Sequence, residues 1–356
     1  MTRGTRRSLV LLVALALLVA ACSSGDDDDT DAAPGTTAAR GEDTTTSAAP
    51  PPVLPLTGLP VTDEAVAGRP ALVVKLNNVD GSSRPQAGLN QADIVFEEKV
   101  EGPISRFAAV FHSTDAADLG PVRSGRSTDV AIVSSLNVPL YAFSGANAVM
   151  IQQLRAAPLV DVGYDVQPGA YDRRPGRKAP DNVFTSTARL WALTPEGSGP
   201  PPQQLTYRAE GEGLAAGARP IAGVDYSWGG GGAPVSYRWD PALAGWARVQ
   251  KGTPHVDADG VPIAPPNLIV QQVTYLDTGL VDTSGAPVPE AQLVGDGVAW
   301  IMTDGHLVEG RWSRPDPTTP TAYTTVDGTS VGLTPGPTWI ALVPVDGDAA
   351  LAEVGP

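Results

Sequence analysis

Ile94-Val95-Phe96-Glu97-Glu98-Lys99, then Gly102-Pro103, then Ser105-Arg106-Phe107-Ala108-Ala109-Val110-Phe111-His112, reads as two strands joined by a turn. Successive side chains of a strand point to opposite faces. The second run therefore sets Phe107, Ala109 and Phe111 against Arg106, Ala108, Val110 and His112, and period two puts Glu97, Lys99 and Glu101 on one face of the first. Ahead of this hairpin, Ala71-Leu72-Val73-Val74-Lys75-Leu76 has the pattern of a short buried strand.

Downstream, Gly120-Pro121 leads into Val122-Arg123-Ser124-Gly125-Arg126-Ser127-Thr128-Asp129. Val130 to Leu136 is predicted as a short helix with Ser127 or Thr128 as N-cap. Leu140 to Phe143 reads as a buried strand, Ser144-Gly145 as a tight turn, and Asn147 as the cap of a second helix with Met150, Ile151 and Leu154 on one face. Ser186 caps a third helix through Leu193. Strands alternating with helices imply a sheet flanked by helices.

From about Pro220 onward the pattern is strand after strand. Val235 to Trp239 pairs with Trp246 to Gln250, and Leu268 to Leu276 is rich in Val, Ile and Tyr. Gly297 to Thr303 and His306 to Trp312 flank Asp304-Gly305, a favoured two-residue hairpin turn. Trp339 to Val345 ends the series. Trp228, Trp239, Trp246, Trp300 and Trp312 are expected mainly in the core, with sugar binding the alternative. The expected fold class is α+β: an N-terminal mixed α/β domain at 54–205 with helices flanking a sheet, then a smaller all-β C-terminal domain at 220–350.

Composition narrows the function classes. With 39 Gly and 35 Pro in 356 residues, long helices are few, which argues against bundles and helical solenoids. Lys+Arg number 24 against 39 Asp+Glu, a balance that opposes nucleic-acid binding. From 54 to 190 the count is 13 Lys+Arg against 14 Asp+Glu; from 191 to 356 it is 7 against 18. The cations of the folded region therefore gather in its first half. One Cys excludes a disulfide framework and a cysteine-rich metal site.

That Cys has a specific setting. Arg3, Arg6 and Arg7 precede an uncharged run from Leu9 through Ala21, too short for a membrane span and suited to a signal peptide over 1–21. Val19-Ala20-Ala21-Cys22 fits a bacterial lipoprotein box, with Cys22 as the lipidation site carrying diacylglycerol and palmitate-type chains. Thr5-Arg6-Arg7-Ser8-Leu9 loosely matches a twin-arginine signal, so the export route stays open. Residues 22–53, with Asp26 to Asp29 and then Thr, Ala, Gly and Pro, read as a tether with little to bury. The expected location is the extracytoplasmic face of the bacterial cell membrane, held by a lipid anchor.

Several motifs together resemble the YerB-like bacterial lipoproteins. In the first half they are Pro55-Leu56-Thr57-Gly58-Leu59-Pro60, Arg84-Pro85-Gln86-Ala87-Gly88-Leu89, Gln91-Ala92-Asp93-Ile94-Val95, Glu101-Gly102, Arg106-Phe107, Gly120-Pro121-Val122-Arg123-Ser124 and Arg177-Lys178-Ala179-Pro180. In the second they are Pro254-His255-Val256-Asp257, Asn267-Leu268-Ile269-Val270-Gln271, Gly310-Arg311-Trp312-Ser313 and Pro335-Gly336-Pro337-Thr338-Trp339. The resemblance spans about 54 to 345 and implies a two-domain envelope lipoprotein of unknown activity. This chain has Asp181 after Ala179-Pro180, where the family pattern carries His, and it lacks a His in the strand before Ser144. Both departures weigh against histidine-based catalysis.

The candidate ligand-binding residues are Arg123, Ser124, Arg126 and Ser127, with Arg106 nearby and Arg177 and Lys178 in a second basic cluster that also holds Arg173 and Arg174. Arg supplies planar, bidentate donors, and a helix start supplies unpaired N–H groups, so the ligand expected is a phosphate, pyrophosphate or carboxylate. The competing structural reading pairs these Arg residues with Asp93, Glu97, Glu101 or Asp129. Catalytic candidates are weak. Glu97 and Glu101 have a glycosidase-like spacing, Ser144 and Ser124 lack a G-x-S-x-G elbow, and His255 sits in a turn with Asp257 and Asp259. No zinc motif is present and no cofactor is expected. The leading expectation is a binding or regulatory protein for an anionic cell-wall polymer or lipid-linked intermediate, with no nucleic-acid partner. The alternatives are an enzyme acting on lipid-linked pyrophosphate or peptidoglycan, loosely similar to the LytR-type phosphotransferases and needing Mg²⁺ on Asp93 or Asp129, and a protein-interaction module.

Overall fold

The computed structural model describes residues 52–79, 81–229, 234–282 and 285–355. Cys22, the signal-peptide expectation and nearly all of the tether lie outside the described residues. Residues 50–356 form one compact unit.

The first strand β1 (Leu72–Asn77) is wholly buried, as its apolar run requires. The hairpin strands are β2 (Ile94–Lys99) and β3 (Ser105–Phe111), paired antiparallel with Ile94 opposite Val110. Strand β4 (Leu140–Ala142) runs parallel to β1, and β5 (Val160–Asp161) parallel to β4. Four helices punctuate the described chain: α1 (Glu64–Gly68), α2 (Thr128–Ser134), α3 (Ala148–Ala156) and α4 (Thr187–Trp191). Asn147 caps α3 by accepting from Val149 N–H at 2.9 Å, and Ser186 caps α4 through Arg189 N–H at 3.3 Å.

The second half does not stand beside this sheet; it extends it. Thr338–Pro344 runs parallel to β2 on one side and parallel to Asn267–Val273 on the other. Beyond Asn267–Val273 come Gly295–Thr303, His306–Arg314 and Ala322–Thr325, giving an eleven-stranded sheet to which both halves contribute. The strand expected to end the series thus lies near the centre of the sheet. At the hairpin turn, Asp304 and Gly305 both have positive φ, 50° and 70°, the conformation that Asp-Gly supplies most readily. The strand expected at 268–276 ends earlier. Tyr275–Val281 leaves the large sheet and pairs with Pro287–Ala291 in a separate hairpin.

Two apolar layers cover the sheet. On one face Val73, Ala108, Val110 and Ile94 pack with Ile132 and Val133 of α2 and Leu154 of α3. On the other, Leu72, Val74 and Phe107 pack with Leu190 of α4 and with Val224, Tyr226, Tyr237 and Trp246. The last four come from a five-stranded sheet made of Thr253–Pro254, Gly245–Gln250, Val235–Asp240, Gly223–Tyr226 and Ala349–Ala352. Trp228, Trp246, Trp312 and Trp339 are buried in these layers, while Trp239 and Trp300 are half-buried against them. The architecture is α+β. Among the described residues no helix is long and apolar enough to cross a membrane.

Candidate functional site

The loop 123–126 is fixed at both ends by backbone bonds. Arg123 N–H donates to Lys75 O at the end of β1, Ser144 N–H donates to Arg123 O, and Gly125 N–H donates to Gly145 O. Gly125 is needed for this close approach: a Cβ there would stand 2.8 Å from Leu154 Cδ1 and 3.0 Å from Tyr141 Oη. The loop thus packs against Leu154 of α3. The turn after β2 adds Glu101, β3 adds Arg106, α3 adds Asn147 and Met150, and the hairpin end adds Val281 and Asp282. Together they enclose a pocket of about 380 Å³.

Three guanidinium groups, from Arg106, Arg123 and Arg126, line this pocket. Glu101 bridges two of them, with Oε1 2.5 Å from Arg126 Nη2 and Oε2 3.7 Å from Arg106 Nη2. Arg126 also donates to Gly125 O at 2.7 Å, and Arg106 to Ser124 O at 3.3 Å. Arg123 makes no side-chain ion pair or hydrogen bond among the described residues. The Nε atoms of all three arginines are buried and lack an acceptor among the described residues. Such orphaned donors are unfavourable unless something else satisfies them. Burial, reinforced by Arg126 and then Arg123, lowers Arg106 to about 9 against the opposing pull of Glu101. Burial likewise lowers Arg123, partly offset by Asp181. The other rim acid, Asp282, accepts through Oδ1 from Ala286 N–H in its own turn.

Beneath the pocket lies a second charged cluster, fully enclosed. Lys75 Nζ contacts Glu98 and donates to Asp129 Oδ1 at 2.7 Å, and Tyr141 donates to Asp129 Oδ2 at 2.6 Å. Asp129 Oδ2 also accepts from Arg126 N–H at 2.7 Å, tying the helix start to the pocket wall. Burial and the neighbouring Asp129 push the Glu98 carboxyl up, with Lys75 opposing.

The expected residues separate accordingly. Arg106, Arg123, Ser124 and Arg126 meet in the pocket. Ser127 does not: it has helical backbone, makes no capping bond, and its hydroxyl is buried. The first turn of α2 is instead closed by backbone bonds, Asp129 N–H to Arg126 O and Val130 N–H to Ser127 O. Arg177 donates to Ser82 O and Pro85 O and stacks on Phe184, while Lys178 is exposed; neither lines the pocket.

Glu97 and Glu101 do not form a pair. The chain turns after Lys99, leaving Glu101 in the pocket while Glu97 faces the five-stranded sheet. There Glu97 accepts from Arg248 at 2.7 Å, Ser105 at 2.7 Å and Tyr226 at 3.0 Å. Of the ion pairs that the structural reading allows, Arg126 and Arg106 take Glu101, while Glu97 is held by Arg248. His255 belongs to the same buried network, with Nδ1 2.8 Å from Arg248 and Nε2 2.8 Å from Gln86. Burial and Arg248 hold His255 well below its usual range. None of the three histidine rings bonds to Ser144 or Ser124; His306 Nδ1 contacts Asp304 O, and the buried His112 ring faces the backbone of Arg69 and Ala67. Asp93 and Asp129, the candidates for Mg²⁺, are engaged internally, Asp93 with the N–H groups of His112 and Ser113.

Asn147, Met150, Val281 and Asp282 were not foreseen as pocket residues. Asn147 was legible only as a helix cap. Val281 and Asp282 reach the site through a hairpin whose docking has no local signal, marked by an Asn147 Nδ2 bond to Val281 O at 3.4 Å.

The chain matches two family models, the N-terminal domain of the protein of unknown function DUF3048 at residues 56–199 and its C-terminal domain at 224–340. It is 28% identical over 314 residues to YerB of Bacillus subtilis (strain 168), which carries a lipoprotein name, covering 85% of this chain and 88% of the relative. The crystal structure of YerB protein from Bacillus subtilis superposes with a TM-score of 0.71 at 25% identity, covering 84% of this chain and 99% of that one.

Proposed function

The chain belongs to the YerB-like family, and on that premise we propose that it is a lipid-anchored protein of the cell envelope whose pocket at Arg106, Arg123 and Arg126 binds an anionic ligand. The observation that carries the reading is the meeting of three arginines at one pocket, with Arg123 making no side-chain ion pair or hydrogen bond among the described residues. An anion placed there meets the guanidinium edges that face the pocket and offsets the repulsion among the three charges. Cys22 supports the anchor, since its sulfur stands directly after a signal-peptide pattern.

A thermal-shift titration of residues 50–356 with orthophosphate and pyrophosphate tests binding. A saturable rise in Tm that Arg123→Ala abolishes is expected. No rise with either anion, or a rise that Arg123→Ala leaves intact, would remove the pocket from the account.

A further inference from the structure

Resting on that anion-binding reading, we propose that the pocket selects a terminal phosphate group over a carboxylate, on a ligand whose adjoining body is uncharged. The protein already holds a carboxylate there. Glu101 places one oxygen toward Arg126 and the other toward Arg106, so both guanidinium groups already face a carboxylate. A second carboxylate arriving at these two groups would duplicate Glu101 and compete with it.

What stays unmatched lies at Arg123. A guanidinium carries five N–H donors, and none of those on Arg123 meets an acceptor among the described residues. A carboxylate offers two oxygens and about four lone-pair sites. A phosphate monoester offers three strong acceptor oxygens and about −1.5 to −2 charge near neutral pH. Its third oxygen can engage Arg123 while the others face Arg106 and Arg126. Asp282 at the rim is the group that opposes a second negative charge, and the Ala286 N–H on its Oδ1 moderates it.

The remaining wall sets the rest of the ligand. Ala146, Met150 and Val281 line the same pocket, so the body attached to the phosphate meets apolar surface on this side. A pocket of about 380 Å³ also exceeds the room that a lone phosphate group occupies.

The test uses two probes with the same body, phenyl phosphate and benzoate, titrated calorimetrically into residues 50–356 at low salt. Phenyl phosphate is expected to bind at least tenfold more tightly than benzoate, with Arg123→Ala abolishing the difference and Arg123→Lys retaining part of it. Arg311→Ala, in an exposed ion pair with Asp296, is expected to leave both affinities unchanged. A second arm compares vesicles containing phosphatidic acid, a phosphomonoester headgroup, with vesicles of phosphatidylglycerol, a diester. Capture by the former alone assigns the phosphate to a lipid; binding of phenyl phosphate without vesicle capture assigns it to a soluble ligand. Equal affinity for phenyl phosphate and benzoate would overturn the selectivity while leaving anion binding in place. Failure of both probes, with the protein shown folded by its melting curve, would overturn the anion reading itself.

Discussion

Glu101 Oε1 stands 2.5 Å from Arg126 Nη2, with both side chains almost closed to solvent. Glu101 is thus the anion that the pocket already contains; it neutralises the arginines and, on the proposed function, would compete with a ligand for them. Glu101→Gln is expected to lower folding stability by on the order of 3 kcal/mol, since a charge is left unpaired. Pyrophosphate affinity is expected to rise by roughly tenfold, equivalent to about 1.4 kcal/mol. Calorimetry beside urea unfolding separates the two effects. A loss of affinity would mean that Glu101 supports the ligand.

Gly125 sets the loop's distance from α3. A methyl group there meets Leu154 and Tyr141 at 2.8 Å and 3.0 Å, so Gly125→Ala pushes the 123–126 loop outward. The expected cost is about 1–3 kcal/mol of stability, the usual range for overpacking. Weaker anion binding is expected alongside it, read by the same titration. Unchanged affinity would show that Arg123 and Arg126 tolerate a displaced loop.

Arg248 is fully buried and holds Glu97, Tyr237, Gln250 and His255 together across the two halves. Arg248→Met leaves the Glu97 carboxylate buried without its cation. A loss of about 3–5 kcal/mol is expected in urea unfolding. Anion affinity of the folded fraction is expected to stay constant, because this network lies on the opposite face of the sheet from the pocket.

His112 is buried, and burial, with the Arg69 charge nearby, lowers it to about 4 from an ordinary 6.5 against the opposing backbone of Arg69 and Ala67. Between pH 6.5 and 4 the unfolded chain takes up a proton that the folded chain refuses, so this residue makes stability fall as pH falls through that window. His112→Leu is expected to remove up to about 3 kcal/mol of that decline. Parallel stability curves for the two proteins from pH 4 to 7 would contradict it.

How much of this was legible in the sequence depended on range. The alternation of Phe107, Ala109 and Phe111, the Asp304-Gly305 turn and the Asn147 cap are local signals, and the strands, hairpins and helix they imply are present. Arg123 and Arg126 stood out because two cations flank a glycine before a helix. The joining of the halves was hidden, since Thr338–Pro344 finds β2 more than two hundred residues away and no local pattern encodes a partner at that distance. Lys75 looked like an interruption in an apolar strand. Its role depends on Glu98 and Asp129, which only the folded sheet and α2 bring to it. Glu101 misled because period two was carried past Lys99, where the strand stops.

The central claim is that Arg123 completes an anion site with Arg106 and Arg126. Its most direct test is isothermal titration of inorganic pyrophosphate into residues 50–356 and into their Arg123→Ala variant, at low and high salt. The account predicts saturable single-site binding, weakened at least tenfold by the substitution and reduced by salt. Binding that is absent in the parent protein, or equally strong without Arg123, would contradict it.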